Sequence, residues 1–173
     1  MTGMLSIDVD RCVSCKTCEL ECAIAHSEAG TLFAVVRAGE TVQRRVVVEP
    51  AGSLSIPLQC RHCEDAPCVA VCPTQAMHKN GKDFPVLVDD ALCIGCRACI
   101  AVCPFGVVFA SATGKAVVKC DLCIRRLAQG QQPACAAGCP THAIRYTTAD
   151  EIARDARRRT AEGFMVAVER GAR

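Results

Sequence analysis

Aromatic side chains are almost missing: the 173 residues include no tryptophan, one tyrosine and five phenylalanines. With so few large apolar groups, an organic core is thin, and a small fold of this kind needs other staples. No apolar run is long enough to span a bilayer. The longest candidate, Cys99 to Ala110, is short and is broken by Pro104 and Gly106, so membrane contact is expected only through a partner. The glycine fingerprint of a dinucleotide site and the lysine loop that cradles phosphate are both missing. The residues Met1 to Asp8 show no basic segment leading into an apolar signal core, and the expected location is cytoplasmic. A formal charge of +2 offers no strongly basic surface for nucleic acid. His26, His62, His78 and His142 are scattered, and none sits in a constellation suited to catalysis.

What the chain has instead is sixteen cysteines in four groups. The central one, Cys93-Ile94-Gly95-Cys96-Arg97-Ala98-Cys99-Ile100-Ala101-Val102-Cys103-Pro104, is an unbroken C-x2-C-x2-C-x3-C-P run. Three cysteines so spaced reach three corners of one iron-sulfur cube, and the fourth serves a neighbouring cube. A tetrahedral zinc ion would use all four on one atom and gives no reason for the fourth cysteine or the proline. Cys12, Cys15, Cys18 and Cys22 repeat the spacing with Ala23 in place of proline. Cys60, Cys63, Cys68 and Cys72-Pro73 widen the second gap to four residues, and Cys120, Cys123, Cys135 and Cys139-Pro140 widen it to eleven. The three residues before each fourth cysteine suit one helical turn, which is expected to turn that cysteine to a different face from the third. Disulfides are the competing use of an even cysteine count, but the regular grouping and the reducing location expected for the chain argue against them. Four cubes, each carrying about −2 with its thiolates, would take the loaded protein to about −6.

Between the groups the pattern is of short strands. Leu5 to Asp10 alternates, Phe84 to Val88 and Ala116 to Lys119 are apolar and β-branched, and Ala143 to Tyr146 is expected to pair with an earlier strand. Phe33 to Val36 and Val42 to Val48 flank Ala38-Gly39-Glu40 and predict a hairpin, with Pro50, Gly52, Ser53 and Pro57 marking a linker after it. Arg44 and Arg45 read as an exposed edge. The insertion Ile124 to Ala134 is expected to be a surface excursion. Ala149 to Ala161 predicts a surface helix capped near Thr148 or Asp150, with Phe164, Val166 and Val168 folding back on the body. Three Cys-Pro segments, at Cys72, Cys103 and Cys139, are each followed by a turn and a small-then-apolar pair, an internal repeat.

These four groups cover nearly the whole chain, which resembles the four-cluster polyferredoxins that serve oxidoreductase complexes as electron-transfer subunits. The opening from Cys12 to Ser27 is similar to that of the iron-sulfur subunits of tungsten-dependent aldehyde oxidoreductase and carbon monoxide dehydrogenase. The resemblance implies an α+β fold of two stacked bacterial-type 2[4Fe-4S] ferredoxin modules, with short strands, small helices and long cluster-binding loops. It implies four [4Fe-4S] clusters as cofactors: one on Cys12, Cys15, Cys18 and Cys139, its companion on Cys120, Cys123, Cys135 and Cys22, a third on Cys60, Cys63, Cys68 and Cys103, and a fourth on Cys93, Cys96, Cys99 and Cys72. Residues 1–59 with 111–148 would form an outer module, 60–110 an inner one, and 149–173 a helical extension.

The chain would then have no catalytic site and would conduct single electrons between a catalytic metalloenzyme subunit and a flavin (FAD) subunit or other redox partner. The partner leaned toward is a tungsten or molybdenum pterin oxidoreductase, with tungsten aldehyde oxidoreductase first. Nickel carbon monoxide dehydrogenase, formate dehydrogenase and hydrogenase follow. A free polyferredoxin carrier, a structural zinc module and a self-stacking assembly are the competing readings. Lys16, Arg61, Arg97 and Arg125 lie within or beside the cysteine groups and are candidates for raising cluster potentials.

Overall fold

The computed structural model describes residues 3–171. Positions 1–2 of the expected outer module and 172–173 of the extension lie outside the described residues. In chain order the elements are β1 (Gly3–Ile7), a 3-10 turn at Val9–Arg11, α1 (Thr17–Ala25), α2 (Leu32–Ala38), β2 (Val46–Ala51), β3 (Leu54–Gln59), α3 (Pro67–Ala70), β4 (Met77–Lys79), β5 (Val86–Val88), α4 (Ala98–Ala101), β6 (Val108–Ala110), β7 (Val117–Lys119), α5 (Ile124–Ala128), α6 (Ala134–Ala137), β8 (Ile144–Thr148) and α7 (Ala149–Gly171).

The strands form four two-stranded antiparallel sheets, β1–β8, β2–β3, β4–β5 and β6–β7. Two strands of three to six residues are marginal alone, and each pair survives by packing on one of two cores. One core joins Val46, Val48, Ala143 and Ile144 to Cys18, Cys22, Cys135 and Cys139, while the other joins Met77, Val86, Val108 and Val117 to Cys68 and Cys99. The fold is thus α+β, with two duplicated modules of small sheets and short helices. Residue 110, the expected edge of the inner module, ends β6, and its partner β7 follows it, so this hairpin straddles that edge.

β1 and β8 pair from Gly3↔Thr148 to Ile7↔Ile144, which brings the two ends of the cysteine-bearing chain together and supplies the early partner expected for Ala143 to Tyr146. The predicted hairpin at Phe33 to Val48 is not formed. Leu32–Ala38 is a helix, opened by Thr31, whose Oγ1 accepts from the Ala34 N–H at 3.3 Å, and closed by Gly39 in the left-handed region at φ +62°. The hairpin comes later: Val46–Ala51 pairs with Leu54–Gln59 around Gly52, so Pro50 and Pro57, expected in a linker, lie within strands. Phe33, Ala34, Val35 and Val36 suit either period, and the flanking cap residues settle it as helix.

The insertion after Cys123 is only partly a surface excursion. It begins as α5, and Pro133 and Ala134 return it fully buried. At the far end, Thr148 and Glu151 cap α7 reciprocally: the Glu151 N–H donates to Thr148 Oγ1 at 3.3 Å, and the Thr148 N–H donates to Glu151 Oε2 at 2.9 Å. Arg145–Asp155 at 2.8 Å and Arg159–Asp8 at 3.7 Å hold its first half. No turn follows, so the helix continues through Gly163. Phe164, Val166 and Val168 do not fold back; Phe164 is 68% exposed. Among the described residues no helix is long and apolar enough to cross a membrane.

Candidate cluster-binding site

Each cysteine group is built on the same local frame. The residue before the second cysteine has positive φ in all four: Ser14 at 58°, His62 at 49°, Gly95 at 68° and Leu122 at 60°. A left-handed residue there folds the two-residue spacer into a tight loop and turns backbone N–H groups inward, the arrangement that receives an anion. The donors reach sulfur directly. His62 N–H donates to Cys60 Sγ and Leu122 N–H to Cys120 Sγ, each at 3.4 Å. Glycine is required only at Gly95, where a Cβ would lie 2.9 Å from the Lys115 carbonyl oxygen.

The third cysteine of each group opens a short helix, Cys18 in α1, Cys68 in α3, Cys99 in α4 and Cys135 in α6. The fourth lies one turn on. In α1 the helix contains both Cys18 and Cys22, so the pair shares a face and is displaced about 6 Å along the axis. In α1 the fourth cysteine is set apart from the third by that displacement, not by the change of face expected. Past the fourth cysteine, Gln75, Gly106 and His142 adopt positive φ and end each Cys-Pro turn. N–H groups again meet sulfur, Met77 to Cys72 at 3.4 Å and Arg45 to Cys22 at 3.3 Å.

Tertiary folding regroups the sixteen thiols, all of them free. Burial pushes Cys18 up to about 11, and Cys139 and Cys15 act on it in the same direction. Cys68 is raised by burial and by Cys60 and Cys103, and Cys99 by burial and by Cys93, Cys96 and Cys72. Cys120 is raised by burial, with Cys22 and Cys123 adding to it; Cys135 responds to burial, then to Cys120, Cys22 and Cys123, and also to Cys18. Each of these five buried thiols therefore has as sulfur neighbours at least one cysteine of its own local group and at least one from another. Two of these gatherings line cavities: Cys12, Cys15, Cys18 and Cys139 with Val13, Val48 and Ile144, and Cys72, Cys93, Cys96 and Cys99 with Met77, Val88 and Val117.

Thiolate donors in fours, walled by apolar side chains and met by backbone N–H groups, fit an iron-sulfur cube. A further observation fits as well. His62 Nδ1 accepts the Val86 N–H at 3.1 Å, and burial and the nearby Lys119 charge hold the ring down at about 3, so the neutral ring carries its proton on Nε2. That Nε2 is buried without a hydrogen-bond partner, and a buried donor of this kind calls for an acceptor beyond the protein's own groups.

The surroundings contain groups the cysteine spacing did not reveal. Asp121 accepts from the Cys123 N–H at 2.9 Å, and its carboxylate meets His26 Nε2 at 3.0 Å and Arg45 Nη1 at 2.9 Å. Burial opposes charge on His26, but the bonds to Asp121, Cys123 and Cys22 together outweigh it and hold the ring up to about 12; His26 and Arg45 hold Asp121 well below the usual carboxylate range against its own burial. Arg45 is thus no exposed edge, whereas Arg44 is half exposed and pairs with Glu19 at 3.2 Å. His26, Asp121 and Cys123 are close enough to hold a metal ion, but Cys123 belongs with the buried thiols above. His78 bonds the Ala76 carbonyl in its own segment at 3.1 Å, and His142 ends a turn. Lys16, Arg61, Arg97 and Arg125 are all exposed, while the buried cation is Lys119.

A duplicated sheet-and-helix fold with cysteines gathered in fours defines an iron-sulfur electron-transfer protein of ferredoxin type. The chain belongs to the 4Fe-4S dicluster domain family, which matches residues 52–149. It is 40% identical over 153 residues to an iron-sulfur protein of Rhodospirillum rubrum, spanning 82% of this chain and 80% of that one. It is 35% identical over 151 residues to one of the chains of the anaerobic dimethyl sulfoxide reductase of Escherichia coli K12, spanning 84% and 73%. The same identity holds over 182 residues with the electron transport protein HydN of that strain, spanning 95% and 100%. The chain is accordingly a non-catalytic iron-sulfur electron-transfer protein.

Proposed function

We propose that the sixteen cysteines hold four [4Fe-4S] clusters in the swapped quartets given above, and that the chain conducts electrons between a catalytic oxidoreductase subunit and a second redox partner. When bound, each cluster exchanges one electron at a time. The observation that carries this reading is the regrouping of thiols together with their graded burial. Cys135 feels Cys18, which sets the first two quartets side by side; α3 packs on α4, which does the same for the last two; and Lys119, next to Cys120, acts on Cys68 across the remaining gap. Cys15 and Cys96 are the exposed thiols and belong to the first and last quartets in that order, whereas the quartet containing Cys120 is wholly buried. A row whose second member is wholly buried and whose two outer members each carry an exposed thiol suits entry at one terminus and exit at the other.

The inner module in this reading runs from Cys60 through the β6–β7 hairpin, and the outer one closes around it through β1 and β8. For the catalytic partner, the dimethyl sulfoxide reductase relative favours an anaerobic reductase of that kind over the tungsten aldehyde oxidoreductase first expected. Carbon monoxide dehydrogenase, formate dehydrogenase and hydrogenase stay behind it, and a flavin subunit is one form the second partner could take. A cytoplasmic location is part of this proposal. A freely diffusing carrier is the second reading, favoured by the full-length match to a relative named for electron transport alone. Anaerobic purification from native cells tests both. The subunit reading expects about sixteen iron and sixteen labile sulfide per chain, with a large redox enzyme copurifying. A cluster-loaded chain running alone selects the carrier, and stoichiometric zinc without labile sulfide overturns both.

A further inference from the structure

Lys119, the last residue of β7, is only 2% exposed. Its Nζ donates to the Val86 carbonyl of β5 and, at 2.9 Å, to the Cys120 carbonyl. Two carbonyl dipoles do not neutralise a buried ammonium, and such a charge persists only beside compensating negative charge. Among the described residues Lys119 makes no ion pair, and the nearest carboxylate in sequence, Asp121, is engaged by His26 and Arg45. Cysteines flank it instead. On one side is Cys120, which sits with Cys22, Cys123 and Cys135; on the other is Cys68, where Lys119 opposes the upward push of burial, Cys60 and Cys103. Lys79, whose Nζ donates to the Cys63 carbonyl at 3.1 Å, is the other cation on that side, but it is only half-buried.

Building on the reading of the quartets as cluster sites, we propose that Lys119 is the positioning residue of the junction between modules: its buried ammonium, tethered to Val86 on one side and Cys120 on the other, sets the two flanking cluster sites in register and raises both of their potentials above those they would have without it. A fixed positive charge in a low-dielectric interior favours the form carrying the extra electron and is little screened. In each hop one site loses an electron and the other gains it; Lys119 exchanges neither electron nor proton, and its charge stays in place between the two sites. The exposed Lys16, Arg61, Arg97 and Arg125 are hydrated and screened, so their effect on potential is smaller.

The test uses the loaded protein under anaerobic conditions, with iron and labile sulfide counted and each cluster's midpoint potential followed by paramagnetic resonance. In Lys119→Met the potentials of the two flanking clusters should fall while the other two stay in place, and Lys119→Arg should restore most of the loss. The magnetic coupling between reduced neighbours reports spacing, and persists if only charge has changed. Lys119→Gln, neutral yet able to donate a hydrogen bond, decides the matter should the Met protein fail to load. Four clusters with unmoved potentials in the neutral variants, or an equal shift of all four, would overturn the proposal. So would failure of every variant to load, Arg included, which marks a packing role alone. A wild-type protein without labile sulfide instead sinks the underlying cluster reading.

Discussion

The inner core draws Met77, Val86, Val108 and Val117 from strands that pair with their immediate neighbours, β4 with β5 and β6 with β7. The outer core joins β1 to β8 and sets Cys18 against Cys135 and Cys139, residues from opposite parts of the chain. The two modules share a local frame, but the inner one is assembled from nearby segments and the outer one only after the chain has closed. Long-range closure carries the larger loop-entropy cost, and in the outer module it is supported by further elements, namely the β2–β3 hairpin and the Asp121 network with His26 and Arg45. The contrast shows that one cluster motif can rest on two different kinds of stability.

The sharpest way to break the comparison is to remove a borrowed thiol from the outer module and an exposed one from the inner. Cys139→Ala should abolish the cluster expected on Cys12, Cys15 and Cys18 and loosen β1 from β8, whereas Cys96→Ser, at an exposed corner, should leave a three-iron centre and an intact fold. Iron content and paramagnetic resonance distinguish the two, and equal losses would show that closure does not set the modules apart. Next in size are the close-packed glycines. Gly95→Ala places a Cβ against the Lys115 carbonyl at 2.9 Å, and Gly3→Ala sets one 2.3 Å from Tyr146 Cζ; each should cost about 1–3 kcal/mol. The Gly95 change should strike the inner module and the Gly3 change the β1–β8 closure, as read by amide exchange.

A smaller effect is expected from Asp121→Asn, which leaves Arg45 and His26 without their carboxylate. It should cost about 1–3 kcal/mol and increase exchange in α1 and β2 with little change in β4–β6. An equal response throughout would argue that the network braces both modules. Least of all, Phe164→Ser at the exposed end of α7 should change stability by less than about 0.5 kcal/mol and leave cluster content alone. A clear loss of thermal stability there would mean that the far half of α7 is covered in solution.

The parts legible in the sequence are those with short-range causes. The strands at Val86, Val117 and Ile144 and the cap at Thr148 follow from β-branched runs and from one threonine-glutamate pair. The region from Leu32 to Gln59 misleads because its β-branched residues suit both periods; Thr31 and Gly39 as caps, and the pairing of Pro50 and Pro57 with Ser55 and Val48, decide it. Asp121 and Lys119 look like surface charges in the run Lys119-Cys120-Asp121-Leu122-Cys123. A strand end buried against a neighbouring sheet leaves no mark in composition. The arginine-rich stretches stand out more in the sequence, yet Arg125 is on the surface and Arg45 is in a bridge.

By itself the sequence determined four tight cysteine loops, because a two-residue spacer and a single helical turn are local geometry that holds wherever the chain goes. Which cysteines of other groups each buried thiol meets, how deeply each group lies and where the buried Lys119 ammonium falls were decided only by folding. Those features depend on segments far apart in the chain coming into contact, and burial and charge take their strength from the assembled surroundings.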